Sequence, residues 1–254
     1  MLGADDRVRG MWLSGSLARG NADRASDLDL VIAVADDHRE QFGSEWREWL
    51  ADITDTVLAG ELVFLKGSFW SVTANWERFD VVVEAVSEIP TTRFPVRTLV
   101  FDRDDLSTRL PPPKSRGPLP GEVSRLVTEW FRVTAMAECI LWRSDWRLAA
   151  EHLNVLTNLL LELYVEGNQP VPPMGVKKRS DQLTAEQRVT LEELPRSARS
   201  AEEFVSAHLA FSSAFLGAAR PLAELVGAEW PGRVEHAAAR HLTEVLGTAN
   251  PYPG

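Results

Sequence analysis

Apolar positions change their spacing part-way along this chain. Before residue 110 they form short runs, such as Val31-Ile32-Ala33-Val34, which polar turns separate, as is typical of buried strands. After residue 120 they recur every three or four positions, as is typical of amphipathic helices. The pattern predicts an α/β (α+β) protein, with a mixed sheet of about five strands followed by a bundle of about five helices.

The apolar runs of the N-terminal part predict a set of short strands, at 8–14, 28–35, 61–65, 68–73 and 79–86, with a further short strand at 97–102. One longer segment, 38–58, instead has apolar residues at helical spacing, including Phe42, Trp46 and Trp49. It predicts one amphipathic helix that lies on the sheet and ends at Gly60.

A Pro-rich stretch separates the two parts of the chain. Residues 111–120 are rich in proline, and such a stretch continues neither a helix nor a sheet. We therefore predict a sheet-containing domain at 1–110, a linker at 111–120 and a helical domain at 121–254. The helices of the last domain are predicted at 122–142, 146–166, 185–194 and 201–225, with a final helix from Pro231 at its first position to about 247.

The composition is that of a soluble globular protein, with 44% apolar and 25% charged residues in a chain of 254. The sequence has no run of eighteen apolar residues, which predicts that no segment spans a membrane. The N-terminus lacks the basic and apolar regions of a signal peptide. Cys139 is the only cysteine, so the chain cannot form an internal disulfide. These features predict a cytoplasmic protein.

Negative charge is concentrated in the N-terminal part. Residues 1–110 hold 12 Lys and Arg against 20 Asp and Glu, a net charge of −8, whereas residues 111–254 hold 15 against 17, a net charge of −2. A nucleic-acid partner would require a basic surface, so the charge argues against one. An acidic cleft favours a small cationic ligand, although solubility alone also accounts for the charge.

Two carboxylates mark the first candidate site. Asp27 and Asp29 stand two residues apart at the start of the strand predicted at 28–35, so both side chains point to one face. Two like charges at this distance repel each other unless a cation lies between them. Magnesium usually takes one or two carboxylates together with substrate phosphates. The pair therefore predicts a magnesium site.

A short turn precedes this carboxylate pair. Gly15 follows the first predicted strand, and a glycine there lets the backbone approach a ligand closely. If Ser16 begins a helical turn, its hydroxyl and the neighbouring N–H groups can hold a phosphate. A phosphate-binding turn next to a metal-binding carboxylate pair indicates phosphoryl or nucleotidyl chemistry.

The segment GSLARG at 15–20, followed by SDLDL at 26–30, resembles the signature of the DNA polymerase β nucleotidyltransferase superfamily, and most of all its small antibiotic-modifying members. The resemblance implies that AMP moves from ATP to a hydroxyl group and that pyrophosphate is released. It implies that Gly15 and Ser16 bind the β- and γ-phosphates. It further implies that Asp27 and Asp29 hold one or two Mg²⁺ ions, and that the helical domain closes the substrate cleft.

The superfamily also implies a third catalytic carboxylate, which a later strand supplies to the metal or to the attacking hydroxyl. Asp80 fits this role best because it stands at the start of the strand predicted at 79–86. Glu84 lies on the same face of that strand and is the alternative. Whichever of the two is not catalytic is expected to pair with an arginine.

Two basic positions are candidates for binding the triphosphate. Arg19 lies next to the phosphate-binding turn, and the other interpretation is that it is a solvated turn residue. Lys177 and Lys178 lie in a loop after the second long predicted helix, and Lys177 is the slightly preferred candidate of the two. The resemblance implies that a lysine there can reach the triphosphate from the helical domain; otherwise these lysines are part of a solvated surface.

The function that the sequence predicts is metal-dependent transfer of AMP from ATP to a hydroxyl of a small, cationic acceptor. An aminoglycoside-type antibiotic is the acceptor that the resemblance implies, and a lincosamide-type acceptor is an alternative. A second hypothesis is a protein-modifying AMP-transferase, as among the antitoxins of the superfamily. The fused helical half argues against the second hypothesis, since those antitoxins are usually short.

Overall fold

A computed structural model of the protein describes residues 2–63, 65–113, 115–171, 176–248 and 250–252, without the side chains of residues 176–178. The chain divides into two compact units, Met1–Lys114 and Ser115–Gly254. The division falls inside the stretch 111–120 for which the sequence predicts a linker. That the two units act as a catalytic and a substrate-binding domain stays a prediction.

Within the described residues, the first unit is built on one six-stranded sheet, which agrees with the prediction of about five strands. Its strands are β1 (Val8–Leu13), β2 (Leu28–Val34), β3 (Thr56–Glu61), β4 (Ser68–Thr73), β5 (Arg78–Ala85) and β6 (Thr98–Asp102). They lie in the order β3-β4-β5-β2-β1-β6. Only the central pair of this sheet, β2 and β5, is parallel. The mixed sheet and the α/β class are therefore confirmed.

Helices cover one face of the sheet. A helical turn, α1 (Gly15–Ala18), follows β1, and two short helices, α2 (Arg39–Ser44) and α3 (Trp46–Ala51), follow β2. The side chains of α2 and α3 pack on Leu30, Ile32, Phe69, Phe79 and Val81 of the strands. Trp46 stacks on Phe69 with ring centroids 5.2 Å apart. Because side chains alternate along a strand, the residues between these apolar ones face the opposite side of the sheet.

The helix predicted at 38–58 is wrong in its second half. The helical stretch ends at Ala51, and Val57 and Leu58 lie in β3, paired with β4. Their side chains are more than half exposed, so they do not continue the apolar face of α3. Gly60 is a residue within β3 and ends no helix, and the strand predicted at 61–65 is wrong because β3 ends at Glu61.

The second unit consists mainly of helices around one apolar cluster. Its described residues form α4 (Pro120–Thr134), α5 (Ala137–Arg143), α6 (Trp146–Gly167), α7 (Ala185–Glu193), α8 (Ala201–Val226) and α9 (Gly232–Leu246). The helix predicted at 122–142 is broken at residues 135–136, which separates α4 from α5. Pro231 caps α9 instead of taking its first position. The helical class of this unit is confirmed.

The longest helix, α8, is long and apolar enough to cross a membrane by length and composition alone, with a mean hydropathy of 1.2 over its most apolar window. Phe204, Phe211 and Phe215 of this helix are fully buried in the apolar cluster of the second unit. Phe215 stacks on Trp130 of α4 with ring centroids 4.0 Å apart. The bundle core thus accounts for the apolar character of α8.

Two histidines are buried side by side in this bundle. His152 of α6 and His208 of α8 are 4% and 0% exposed, and their nearly parallel rings lie 6.0 Å apart. Among the described residues, His152 Nε2 and both ring nitrogens of His208 lack hydrogen-bond partners. Burial lowers the pKa of His152 to about 4. Burial, with a smaller effect of His152, lowers the pKa of His208 to about 3, so both rings are neutral at pH 7.

Candidate active site

The parallel strand pair at the centre of the sheet brings two of the predicted carboxylates together. Asp29 of β2 and Asp80 of β5 are register partners. Partners on adjacent strands point to the same face, and adjacent strands lie about 4.8 Å apart. Leu30, Phe79 and Val81 face the helices, so Asp29 and Asp80 lie on the face that α2 and α3 leave uncovered.

The first predicted carboxylate lies at the start of the same strand and is paired with a cation. Asp27 stands two residues before Asp29 and immediately before β2. Its Oδ1 lies 2.9 Å from Nη2 of Arg78, the first residue of β5. Arg78 is two residues from Asp80, so both side chains share one face of β5. The three carboxylates therefore lie at one end of one sheet face, with one arginine among them.

The turn after β1 is packed directly against Asp29. Gly15 has a φ of +59°, which disfavours any residue with a side chain. A Cβ atom on Gly15 would lie 1.7 Å from Oδ2 of Asp29, so a larger residue would displace that carboxylate. The backbone N–H of Ser14 donates a hydrogen bond of 2.8 Å to the carbonyl of Asp29. The glycine is thus required both by the backbone and by the neighbouring carboxylate.

The other candidate phosphate-binding residues lie in this same turn. Ser16 is buried in α1, with 7% of its surface exposed. Arg19 follows the helical turn, and its backbone N–H bonds to the carbonyl of Gly15. The Nε atom of Arg19 is buried and has no hydrogen-bond partner in the part of the chain that the structure describes. The turn therefore places Gly15, Ser16 and Arg19 together, beside Asp29.

Glu84, the alternative third carboxylate, lies elsewhere on β5 and has other partners. Its register partner on β2 is Ala33, four residues beyond Asp29 and therefore about 13 Å along the strand. Its Oε2 accepts a hydrogen bond of 2.6 Å from Nη2 of Arg97, whose side chain is fully buried. The hydroxyl of Thr92 donates to its other oxygen. Glu84 is thus a buried structural ion-pair partner, and Asp80 is the carboxylate that lies opposite Asp29.

The donor set suits magnesium shared with a nucleotide. In the described residues, no group of three or more His, Cys, Asp and Glu side chains is gathered closely enough to hold a metal ion on its own. Magnesium commonly takes one or two carboxylates and completes its coordination with substrate phosphates and water. Asp27, Asp29 and Asp80 would supply the oxygen ligands for this arrangement, and the adjacent turn would supply a place for phosphates.

One predicted site residue cannot be placed. The backbone of Lys177 lies in a 3₁₀ helix, Val176–Gln182, but its side chain and that of Lys178 lie outside the described residues. Their contact with a triphosphate stays a prediction.

Sequence reasoning missed Arg78 on this face, and for Trp70 it favoured a place in the core over stacking on a substrate. Arg78 was detectable, because it stands two residues before Asp80 and shares its face. Trp70 of β4 is the register partner of Asp80 on the side away from Asp29. Its position depends on how β4 pairs with β5, which no local pattern shows.

The N-terminal stretch that contains part of this site matches a known family. Residues 2–77 match a family model described as the nucleotidyltransferase domain. The resemblance to nucleotidyltransferases is therefore confirmed. The matched stretch contains the turn after β1, Asp27 and Asp29, and it ends immediately before Arg78.

Among solved structures, the chain is similar to the crystal structure of an aminoglycoside 6-adenyltransferase from Bacillus subtilis. The identity is 15% and the TM-score 0.46, and the match covers 94% of this chain and 92% of that chain. No curated protein matches the sequence.

Proposed function

We propose that the protein transfers AMP from ATP to a hydroxyl group of a small cationic acceptor and releases pyrophosphate. The observation that carries the proposal is the row formed by Asp29 and Asp80, with the turn at Gly15 packed against the first of them. The match of residues 2–77 to the nucleotidyltransferase domain supports the same chemistry. The enzyme is proposed to act in the cytoplasm, where ATP is available.

The proposed reaction is a single in-line displacement at the α-phosphorus. The acceptor oxygen forms a bond to this phosphorus, and the bond to the oxygen that bridges the α- and β-phosphorus breaks, so that pyrophosphate leaves. The turn at Gly15 and Ser16 would hold the β- and γ-phosphates through backbone N–H groups and the serine hydroxyl. Arg19, whose Nε lacks a partner among the described residues, would pair with the same phosphates.

The carboxylates would provide the remaining functions. Asp27 and Asp29 would hold magnesium, which when bound neutralises the triphosphate and the charge that develops during transfer. Asp80 lies on the strand further from the phosphate-binding turn, and so on the side from which the hydroxyl attacks. It would accept the proton of that hydroxyl or share the metal.

The acceptor class follows from charge. Residues 1–110 carry a net charge of −8, and three carboxylates with one arginine lie at one end of the sheet face opposite α2 and α3. Such a surface attracts cations and repels anions. An amine-bearing ring compound with a free hydroxyl, such as an aminoglycoside, is therefore the proposed acceptor, and a lincosamide is the alternative.

The test is pyrophosphate release from MgATP in the presence of kanamycin A, streptomycin, lincomycin or glucosamine. Mass spectrometry of the products would show whether the acceptor gained one AMP group. Release that requires one of these acceptors, and that Asp27→Asn abolishes, would support the proposal. Release with none of them, together with labelling of a protein band by radioactive ATP in a lysate, would instead indicate a protein-modifying enzyme.

A further inference from the structure

Trp70 lies in line with the candidate catalytic carboxylates. Across the sheet, Gly60 of β3 pairs with Trp70 of β4, Trp70 pairs with Asp80, and Asp80 pairs with Asp29. Directly paired residues on neighbouring strands point to the same face. The indole is therefore the next side chain beyond Asp80 on the face opposite α2 and α3, with its Cα atom about 5 Å away.

The missing side chain of Gly60 gives the indole its position. A Cβ atom on Gly60 would lie 2.8 Å from Cζ2 and 2.9 Å from Nε1 of Trp70, so the ring lies over the glycine. The ring is thus directed over β3, towards the edge of the sheet. A glycine in a strand often marks such a close approach.

Trp12 shows what a structural tryptophan on this face looks like. Its ring lies over Gly10, two residues earlier on the same strand, but it is 1% exposed and packs with Ala33, Ile89 and Leu106. Its Nε1 donates to Ser107, and Arg97 lies over its ring. Trp70 is partly exposed, and among the described residues it belongs to no apolar cluster of this unit. The core therefore does not explain why a tryptophan stands at position 70.

The order of Trp70, Asp80 and Asp29 across the sheet determines which substrate Trp70 would contact. The phosphate-binding turn contacts Asp29 at one end of the row, and Trp70 lies beyond Asp80 at the other. In an in-line displacement, the leaving pyrophosphate and the attacking hydroxyl lie on opposite sides of the α-phosphorus. Trp70 is therefore on the acceptor side.

From this geometry we infer that Trp70 is the acceptor-binding residue of the site, with its indole face against a cationic ring that carries the attacking hydroxyl. The inference rests on the proposed function and deepens it by assigning the acceptor subsite to one residue. Tryptophan is the best partner among the aromatic residues for an ammonium group. With Asp80 beside it, the indole would recognise an amine close to the reacting hydroxyl.

The test compares kinetic constants of Trp70→Ala, Trp70→Phe and the wild-type enzyme with kanamycin A or glucosamine as acceptor. Trp70→Ala is expected to raise the acceptor KM about tenfold, whereas Trp70→Phe recovers most of the affinity and the KM for MgATP stays unchanged in both. Gly60→Ala would push the indole from its place and is expected to raise the acceptor KM as well. Trp76→Ala is the matched control, since Trp76 is 72% exposed and outside the row.

The positive charge of the acceptor is tested with the N-acetylated form of the same compound. If the indole binds an ammonium group, Trp70→Ala raises the KM for the free amine about tenfold and the KM for the acetylated form much less. An equal effect on both forms would overturn the cationic class.

The two levels of the proposal fail in different ways. An active enzyme whose acceptor KM is the same in wild type, Trp70→Ala and Gly60→Ala would overturn the role of Trp70 and leave the proposed function in place. An absence of turnover with every acceptor in the wild-type enzyme would overturn the proposed function, and the acceptor subsite with it.

Discussion

Arg78 and Asp27 form an ion pair at the end of the sheet where Asp29 and Asp80 also lie, with Nη2 of the arginine 2.9 Å from Oδ1 of the aspartate. The guanidinium thus contacts a carboxylate that the proposal assigns to magnesium. Metal binding at Asp27 therefore has to displace the arginine or share the carboxylate with it. Once displaced, Arg78 would be free to pair with the negative charge of the nucleotide.

Replacing Arg78 by glutamine is expected to strengthen metal binding in the absence of nucleotide. The pair is partly exposed, and such pairs contribute about 0.2–1 kcal/mol, so the Kd for Mn²⁺ should fall by a factor of about 1.4 to 5. Titration calorimetry or the Mn²⁺ electron paramagnetic resonance signal would measure it. Arg93→Gln, a change at an exposed arginine of the same unit, is the control, and an unchanged Kd for Arg78→Gln would contradict the competition.

Gly15→Ala is expected to abolish turnover, because its Cβ would displace the carboxylate of Asp29. Gly20→Ala is a matched comparison: φ is +71° at Gly20, close to the +59° of Gly15, but a Cβ there meets no atom of the described residues within 4 Å. Both changes should lower the free energy of unfolding by about 1–2 kcal/mol through backbone strain. Thermal unfolding together with pyrophosphate release separates the two effects, and equal activity losses would show that Asp29 is not the cause.

Asp80→Asn is expected to affect mainly turnover, whereas Glu84→Gln is expected to affect mainly stability. Asp80→Asn should remove turnover, since Asp80 lies in the candidate site, and should lower the free energy of unfolding less than Glu84→Gln, since Asp80 is only partly buried. Glu84→Gln leaves the buried guanidinium of Arg97 without its counter-charge, and should lower the free energy of unfolding by about 3 kcal/mol. Urea unfolding and kinetics of both variants would measure this; a stable but inactive Glu84→Gln would make Glu84 the catalytic residue.

Acid is expected to destabilise the helical unit through His152 and His208. Burial lowers the pKa of these histidines to about 4 and about 3 respectively, whereas in the unfolded chain each has a pKa of about 6.5. Below pH 6.5 the unfolded chain therefore binds protons that the folded chain does not, and the free energy of unfolding falls with the pH until about pH 4. Between pH 7 and pH 5 each histidine contributes a loss of about 2 kcal/mol.

His208→Leu is expected to remove one of these two contributions. Urea unfolding at pH 7 and pH 5 measures how much the free energy of unfolding falls between these pH values. The fall should be about 2 kcal/mol smaller in this variant than in the wild type. His236→Gln, at an exposed histidine, corrects for the general effect of pH. A wild-type pH dependence in His208→Leu would show that the buried ring does not determine acid stability.

The sequence allowed prediction of the site where chemistry depends on residues close together in the chain. Gly15, Ser16, Asp27 and Asp29 lie within fifteen residues, and their spacing was enough to place them in one turn and one strand start. Asp80 was assigned from its position at the start of an apolar run, and the parallel register with Asp29 agrees with that assignment. Long apolar helices such as α6 and α8 were also predicted to within a few residues.

The errors arose where an apolar residue had more than one structural explanation. Val57 and Leu58 continued the helical spacing of α3, yet they belong to a strand whose side chains are half-exposed. Gly60 resembled the end of a helix, and its role became clear only from the ring of Trp70 above it. Strand pairing decided both cases, and pairing depends on residues that are distant in sequence.

The pairing of β2 with β5 has a consequence for how this chain tolerates change. The register that buries Phe79 and Val81 beneath the helices is the same register that sets Asp80 opposite Asp29. A slip of one residue would exchange the two faces of β5, moving Asp80 into the apolar layer and Val81 out of it. Substitutions under α2 and α3 that shift β5 would therefore alter catalysis without touching a carboxylate. The activity would then depend on the packing of the apolar layer between the sheet and α2 and α3, on the face opposite the candidate site.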